Sequence, residues 1–424
     1  MNTKDRRLAN NFLWNTAGSL FFLICQWVIT VLVVRLSDGF ADAGLLSLAM
    51  SVTNVFAIIA LFNVRNYQVS DSSGLYTSGE YVSHRLLTCV FAFVLCAVAT
   101  LIGGYEFYTA ACILAYMLLK LVENFVDVFH GIVQRNWRLD IAGRSFILRG
   151  LMTVASFAIV FGVSKNLLLA ILAMAATNIA SLLIYDLNAV RRVETFRLSF
   201  RTDRLLTLSK VCLPMVGYGF CIHSILPLVK AVLEAYHGEE MLGYYGSVTT
   251  VATLIQSFTL LVFTPLIGVF DEAFRAGDRC KLRRLFAKLI LLLLAVALLA
   301  MLAVALLGDF AMSLVFGEEI LPYVYLLYPT IIASALTALV WLLGMILVVM
   351  RYMKTLLIGA MAGLAVGVVA SVTLIPDTMF SGANIAQILP FGVIAAVYLA
   401  RFAIYLCGTS SHQPAEAACN KKEN

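Results

Sequence analysis

The chain has 424 residues, of which 62% are hydrophobic and 13% are charged, and its mean hydropathy is +0.93. About a quarter of the residues in a soluble domain are charged, so this composition excludes a soluble globule and indicates a polytopic membrane protein. The formal net charge of +6 is concentrated in the segments between apolar stretches and does not indicate nucleic-acid binding.

Twelve apolar segments are long enough to cross a bilayer, which takes about 20 helical residues. The first is too long to be a cleavable signal peptide, and the second follows at once. No segment alternates at period two, so a transmembrane barrel is excluded and an all-α fold is predicted. The predicted spans are 12–36, 41–63, 86–103, 107–129, 146–163, 166–189, 208–236, 242–268, 285–307, 323–349, 355–375 and 384–407.

Basic residues lie almost entirely on one side of these spans. When the N-terminus is placed inside, the inner segments and inner helix ends hold 26 of the 30 Lys and Arg residues. Lys165 lies in an outer turn and Arg35 ends the first span on the outer side, whereas the outer turns are short and acidic. The positive-inside rule therefore predicts that both termini are cytoplasmic.

Two parts of the chain resemble each other at a spacing of about half its length. Residues 36–53 match 235–252 at an offset of 199, which aligns Gly44 with Gly243, and 76–85 parallel 274–283. A parallel duplication of six spans predicts two pseudo-symmetric lobes with a seam between them. The predicted units are an N-lobe (1–204), a C-lobe (205–407) and a disordered cytoplasmic tail (408–424).

The end of the fourth span, Leu118–His130, carries four ionisable residues. Lys120, Glu123, Asp127 and His130 are spaced at i, i+3, i+7 and i+10, so they share one helix face. Charged side chains inside a membrane face a bundle interior, a water-filled cavity or the headgroups. The stripe is therefore either a structural ion pair that ties the helix to a neighbour or one wall of a cavity.

The seventh span repeats this pattern. His223, Lys230 and Glu234 again share one face, and Pro227 frees a backbone carbonyl on the same helix. Broken helices near the middle of the membrane are common in transporters. The alternatives are a hydrogen-bonded histidine of the bundle and a local i,i+4 pair between Lys230 and Glu234.

Charged residues also lie near the inner ends of three other spans. Arg65 and Arg149 either point into an inward-facing vestibule or reach the lipid headgroups. Asp186 closes the sixth span, where pairing with Arg191 or Arg192 is the structural alternative. The nine cysteines are scattered without metal-ligand spacing, and no nucleotide-binding or metalloprotease motif occurs. The sequence thus predicts no metal, no cofactor and no ATP hydrolysis by this chain.

Four segments carry a family resemblance: NNFLWNTAGSLFF at 10–22, RNYQVSD at 65–71, QRNWRLDIAGRSFILRG at 134–150, and 213–248, which opens the second half. In their order and spacing they resemble the multidrug/oligosaccharidyl-lipid/polysaccharide exporter superfamily. Within it, the chain is most similar to bacterial flippases of polysaccharide repeats, of the O-antigen and capsule type.

The resemblance implies a monomeric, multi-pass, non-enzymatic protein of the bacterial cell membrane. It would move a polyprenyl-diphosphate-linked oligosaccharide to the outer leaflet by alternating access, among membrane lipids and other polysaccharide-assembly proteins. Candidate contacts to the diphosphate or sugar are Lys120, Lys230, Arg65, Arg149, Arg35 and His223. Candidates for balancing charge or exchanging H⁺ or Na⁺ are Glu123, Asp127, Asp186 and Glu234.

Two other functions stay open. The drug/cation antiporter branch of the same superfamily typically has an acidic residue in its first span, and residues 12–34 contain none. A membrane-embedded glycan polymerase or acyltransferase needs acid and base groups that converge on an acceptor, usually in a large outer loop. The longest outer loop predicted here, 308–322, is short.

Overall fold

A computed structural model describes residues 3–37, 39–71, 74–263 and 266–407 of the chain, and nearly all of them are helical. The tail 408–424, for which disorder is predicted, lies outside the described residues. A π-helical turn at Leu182–Asp186 and a 3₁₀ segment at Glu318–Leu326 interrupt the α-helices. The α-helices of the described ranges are α1 (Thr3–Leu36), α2 (Ala41–Leu61), α3 (Val64–Ser70), α4 (Ser78–Ile102), α5 (Phe107–Arg135), α6 (Leu139–Ser164), α7 (Leu167–Ser181), α8 (Leu187–Val193), α9 (Thr202–Phe263), α10 (Leu266–Arg275), α11 (Arg279–Phe316), α12 (Leu327–Val349), α13 (Met353–Thr378) and α14 (Phe380–Cys407).

These helices confirm about twelve membrane crossings. Among the described residues, ten helical segments are long and apolar enough to span a membrane. Helix α5 is not among these ten, although it lies between predicted outer and inner turns like the others. Helix α9 contains two crossings, because Gly238 (φ 85°, ψ 172°) breaks it near its middle. An even number of crossings places both ends on one side, which the basic residues identify as the inner side.

The two lobes share one large core on the outer side, and on the inner side only the start of α9 joins a first-half core. One apolar cluster joins Phe40 and Leu46 of the first half to Tyr245 and Val324 of the second. Towards the inner side, one cluster holds first-half helices together with the start of α9, and two further clusters hold only second-half helices. Because apolar packing joins the lobes mainly at the outer side, the molecule has the architecture of an inward-facing state.

The crossing of α2 and α9 reproduces the internal repeat. A Cβ atom on Gly44 would lie 1.8 Å from the carbonyl oxygen of Glu239, and one on Gly243 would lie 2.0 Å from that of Phe40. Both glycines therefore allow direct backbone contact, and the offset of 199 that aligns Gly44 with Gly243 also aligns Phe40 with Glu239. Gly44 contacts Glu239, and Gly243 and Phe40, which align with Gly44 and Glu239, contact each other. Such an exchange of equivalent partners is the pattern of a contact across a two-fold axis.

The segment between the halves, residues 194–201, is not helical and runs along the start of α4. Helix α4 begins with a capping box, in which Thr77 and Glu80 satisfy each other's backbone N–H groups. Glu80 also forms an ion pair with Arg204 (2.9 Å), and Ser83 accepts a hydrogen bond from the Ser199 amide. The predicted N-lobe boundary, after residue 204, thus falls in the first turn of α9, which is fixed to α4.

Candidate functional site

The polar stripe of α5 faces other helices of the first half. The Lys120 ammonium lies 2.9 Å from the Glu123 carboxylate, whose other oxygen accepts a hydrogen bond from Gln26 on α1 (3.2 Å). The Lys120 and Glu123 side chains are 16% and 11% exposed. His130 is buried and its ring packs against Phe146 of α6. The local Lys120–Glu123 pair considered from the sequence is present, and its carboxylate is also bound to a neighbouring helix.

Asp127 binds two arginines at the inner end of the stripe. Its carboxylate lies 2.8 Å from Arg65 and 3.0 Å from Arg85, and Arg65 also donates to Gln134. The Arg85 side chain is fully buried and donates a further hydrogen bond to the Ala60 carbonyl. Sequence reasoning counted Arg85 only as an inner-side basic residue and missed this role. Two guanidinium groups and one carboxylate leave the cluster with a net positive charge.

A polar cavity of about 370 Å³ opens beside this cluster, and Arg65 and Asp127 lie in its wall together with Leu61, Asn63, Asn66 and Gln134. The chain reaches the cavity through a sharp break between α2 and α3, where Phe62 and Asn63 both have positive φ angles of 46° and 54°. Such conformations are uncommon for residues other than glycine and cluster at binding sites and hinges. The break places Arg65 across from α5 instead of continuing α2.

Arg149 and Asp186 are buried inside the first half. Arg149 is 2% exposed and donates to Asn178 of α7 (3.1 Å), which in turn donates to Thr153. Asp186 is also 2% exposed and faces Ser145 and Arg149 of α6. The alternative that Arg149 reaches the headgroups is therefore wrong, and so is the pairing of Asp186 with Arg191 or Arg192, which are exposed. The π-helical turn that ends at Asp186 turns this carboxylate towards α6.

The three residues of the α9 stripe, His223, Lys230 and Glu234, lie in different surroundings. Lys230 is 6% exposed and donates to the Ser47 hydroxyl of α2 (2.8 Å), so it lies between the lobes. Among the residues that the structure describes, no acidic side chain forms an ion pair with it, and the i,i+4 pair with Glu234 does not form. Glu234 is half-buried, and His223 is exposed beside the ring of Trp341.

Arg35 joins the lobes at the outer side. Its guanidinium donates to the carbonyls of Ser313, Leu314 and Val315, the last turn of α11. Carbonyls at a helix C-terminus lack intrahelical partners and carry partial negative charge, so a cation there is favourable. Aromatic rings extend this outer contact, because Phe40 stacks on Tyr244 at 4.2 Å and Tyr244 stacks on Tyr323 at 4.3 Å.

The cations occupy three depths of the membrane. The Arg65–Asp127–Arg85 cluster lies at the inner end, and Lys120 lies seven residues further out along α5, about 10 Å at 1.5 Å per residue. Asn124 of α5 contacts Ala57 of α2, so Ser47 lies level with residue 114 of α5. Lys230, which binds Ser47, is therefore about 9 Å further out again. Groups with this spacing can bind an anion at successive depths.

We expect Asp127→Asn to destabilise the protein by about 3–5 kcal/mol, because it leaves the buried Arg85 guanidinium without its carboxylate. The unfolding temperature of the purified protein in detergent measures this effect. Arg138→Ala is the control, since it breaks an ion pair whose arginine is 52% exposed and which contributes at most about 1 kcal/mol. Equal unfolding temperatures for the two variants would contradict a structural role for the cluster.

No family model matches this chain. It is 21% identical over 315 residues to the capsular polysaccharide biosynthesis protein CapF of Staphylococcus aureus, covering 74% of this chain and 78% of CapF.

Solved structures of transporters and flippases share its fold. An inward-facing multidrug resistance MATE family transporter of the MOP superfamily matches with a TM-score of 0.71 at 13% identity, over 91% of this chain and 96% of that one. The lipid II flippase MurJ in an inward closed conformation matches with a TM-score of 0.70 at 11% identity, over 94% of each chain. An outward-facing MATE transporter matches with 0.59 at 15% identity, over 94% of each.

These likenesses agree with the architecture described above. The fold is the two-lobed fold of the MATE and MurJ structures, and the inward-facing MATE structure superimposes better than the outward-facing one. The chain therefore has the fold of these transporter and flippase structures, and in sequence it is similar to a protein of capsular polysaccharide biosynthesis.

Proposed function

We propose that this protein moves a polyprenyl-diphosphate-linked oligosaccharide from the inner to the outer leaflet of a bacterial inner membrane. The supporting observation is the set of cations at three depths, which begins at an inner polar cavity and ends below a sealed outer contact. A diphosphate with a polar glycan cannot cross hydrocarbon unaided, because the loss of its hydration costs many kcal/mol. Arg and Lys replace that hydration with charge and several hydrogen-bond donors.

The proposed cycle is alternating access by rocking of the lobes. In the inward-facing state the diphosphate binds near Arg65, whose side chain is 28% exposed in the wall of the polar cavity. Lys120 lies at the next depth, and Lys230 becomes accessible when α2 and α9 separate on the outer side. Arg35 holds the outer side closed until then. We also propose that the two rocking lobes are residues 1–204 and 205–407.

Coupling to H⁺ or Na⁺ is part of the same proposal. Glu123, Asp127 and Asp186 all face cations inside the first half. When a bound diphosphate draws Lys120 or Arg65 away, the carboxylate left behind favours a proton or a sodium ion. The proposed ion therefore compensates a carboxylate charge that is exposed only while cargo is bound. Glu234 is the weaker candidate for binding this ion.

The carboxylates are already paired with cations inside the protein, and this argues against the antiporter alternative. A site for a drug cation needs an acidic group with spare negative charge, whereas Glu123 is neutralised by Lys120 and Asp127 by two arginines. An excess of cations favours an anionic cargo instead. The matches to multidrug transporters are at 12–15% identity, which indicates a shared fold but not a shared substrate.

We expect a strain that lacks this protein to accumulate lipid-linked oligosaccharide on the inner leaflet. Radiolabelled lipid-linked units in sphaeroplasts would be inaccessible to an impermeant lectin, and the wild-type gene would restore access. Export of ethidium from the same cells serves as the comparison, because an antiporter would alter ethidium export and leave the lipid-linked units unchanged. That second pattern would refute the proposed substrate.

A further inference from the structure

An apolar groove lies in the second lobe, between α11 and α14. It has a volume of about 560 Å³. The two helices meet where Phe286 packs edge-to-face on Phe402 (4.9 Å between ring centres) and where the Arg279 guanidinium lies 5.3 Å from the centre of the Tyr405 ring. We call this space the α11–α14 groove. The lining residues used below are Arg283, Leu291, Leu294, Leu399 and Leu406.

The groove has the depth of one leaflet of the membrane. It follows α11 from Arg283 to Leu294, eleven positions or about 16 Å at 1.5 Å per residue, and half of a hydrocarbon core is about 15 Å thick. Helix α14 runs the opposite way, so its wall residues Leu406 and Leu399 accompany the same stretch. Leu291 and Leu294 are 69% and 54% exposed. The groove therefore starts at headgroup depth and opens towards the hydrocarbon.

The inner end of the groove carries a positive charge. Among the described residues that form its wall, Arg283 alone is charged, and its side chain is exposed. Within the described ranges no carboxylate forms an ion pair with it. Asp278, the nearest acidic residue along the chain, accepts a hydrogen bond from the Lys281 amide. Residues 279–308 contain five Lys or Arg and no Asp or Glu. Charge complementarity therefore favours an anionic molecule at this end.

The internal repeat gives Arg283 a counterpart in the first half. The alignment of 76–85 with 274–283 places it opposite Arg85, whose side chain is fully buried and lies 3.0 Å from the Asp127 carboxylate. Both halves thus have an arginine at this position, but in the first half it is turned to an anion inside the bundle. In the second half it is turned to a groove that opens to the lipid, so its anion is expected from the membrane.

We propose that the α11–α14 groove binds an anionic phospholipid of the inner leaflet, with the phosphate at Arg283 and one acyl chain along Leu291 and Leu294. Basic clusters at the inner ends of membrane helices, and basic pockets between such helices, attract anionic headgroups. The lipid fills the gap between α11 and α14 and so braces α11, whose outer end accepts the hydrogen bonds of Arg35. This site is separate from the cargo path and does not depend on what the cargo is.

Neighbouring residues supply matched controls. Arg283 and Arg284 are both exposed, but only Arg283 lines the groove. Leu294 and Leu298 lie one turn apart on α11 and are 54% and 66% exposed, but only Leu294 lines the groove. Arg283→Gln therefore removes the charge of the groove, and Leu294→Trp fills its apolar part. Arg284→Gln and Leu298→Trp make the same changes outside it.

The test uses native mass spectrometry of the full-length protein in detergent, with phosphatidylglycerol and phosphatidylcholine of identical acyl chains as probes. We expect wild type to bind phosphatidylglycerol about tenfold more tightly than phosphatidylcholine, as one charge-assisted hydrogen bond to the lipid would provide. In Arg283→Gln this preference should disappear. In Leu294→Trp both lipids should bind more weakly, by roughly fivefold or more, because the apolar contact is lost. Arg284→Gln and Leu298→Trp should bind both lipids as wild type does.

Three results would overturn the inference. Retention of the preference in Arg283→Gln, or its equal loss in Arg284→Gln, would place the anionic lipid elsewhere on the inner surface. Equal affinity of wild type for the two lipids would show that the groove takes lipid without regard to charge. A wild-type dimer that Leu294→Trp abolishes and Leu298→Trp preserves would assign the groove to a second copy of the chain.

Discussion

Lys230→Met is expected to reduce export of lipid-linked oligosaccharide by tenfold or more while the protein stays at wild-type abundance in the membrane. Lys230 is buried between α2 and α9 with the Ser47 hydroxyl as its hydrogen-bond acceptor. A charge-assisted hydrogen bond to a phosphate contributes about 1.5–3 kcal/mol, and 1.4 kcal/mol corresponds to a factor of ten. The proposed hydrogen bond from Lys230 to the diphosphate lies at the outermost of the three depths, so its loss should stall the cargo there.

Abundance should not fall, because a buried ammonium without a counterion does not stabilise a fold. Replacing such a charge with an apolar side chain of similar length is often neutral or stabilising. Ser47→Ala is the control, since it removes the partner of Lys230 in this conformation and keeps the charge. Export by Ser47→Ala should stay near wild type, and normal export by Lys230→Met would exclude Lys230 from the transport path.

Much of the fold follows from hydropathy alone. Each crossing needs a long apolar helix, so the twelve segments could be located before any packing was known. The stripe on α5 was also predictable, because helix geometry alone places Lys120, Glu123 and Asp127 on one face. Its partners on α1 and α3 were not predictable, since they depend on which helices are neighbours in three dimensions.

The errors have the same origin. Arg85 was treated as a residue of an inner segment because the apolar stretch begins after it, although the capping box at Thr77 and Glu80 marks a helix start eight residues earlier. A helix that starts there carries Arg85 two turns into the bundle. Asp186 was expected to pair with arginines nearby in sequence, but the π-helical turn directs it to α6. Spacing along the helix predicted the local Lys120–Glu123 pair correctly, whereas for Asp186 tertiary packing provides a different partner.

Gly44→Ala is expected to abolish export by preventing closure of the outer side. The added Cβ atom would lie 1.8 Å from the Glu239 carbonyl oxygen, and backbone on both sides leaves no flexible side chain to move away. Helices α2 and α9 would have to separate, which also loosens the Phe40–Tyr244 stack and the Lys230–Ser47 hydrogen bond. The lobes then cannot return to the inward-facing state, in which we propose that cargo is loaded from the inner leaflet.

Spin labels on the outer ends of the two lobes measure this closure directly. Tyr108→Cys and Leu321→Cys place labels on exposed outer positions of either half, after the nine native cysteines are replaced. Gly44→Ala should lengthen the distance between them and remove the shorter population. Gly219→Ala is the matched control on the same pair of helices, because its Cβ would meet only the Ile58 side chain, at 3.1 Å. An unchanged distance distribution in Gly44→Ala would show that the outer contact of α2 and α9 does not control access, and the cavity at Arg65 would then need another route to the outer leaflet.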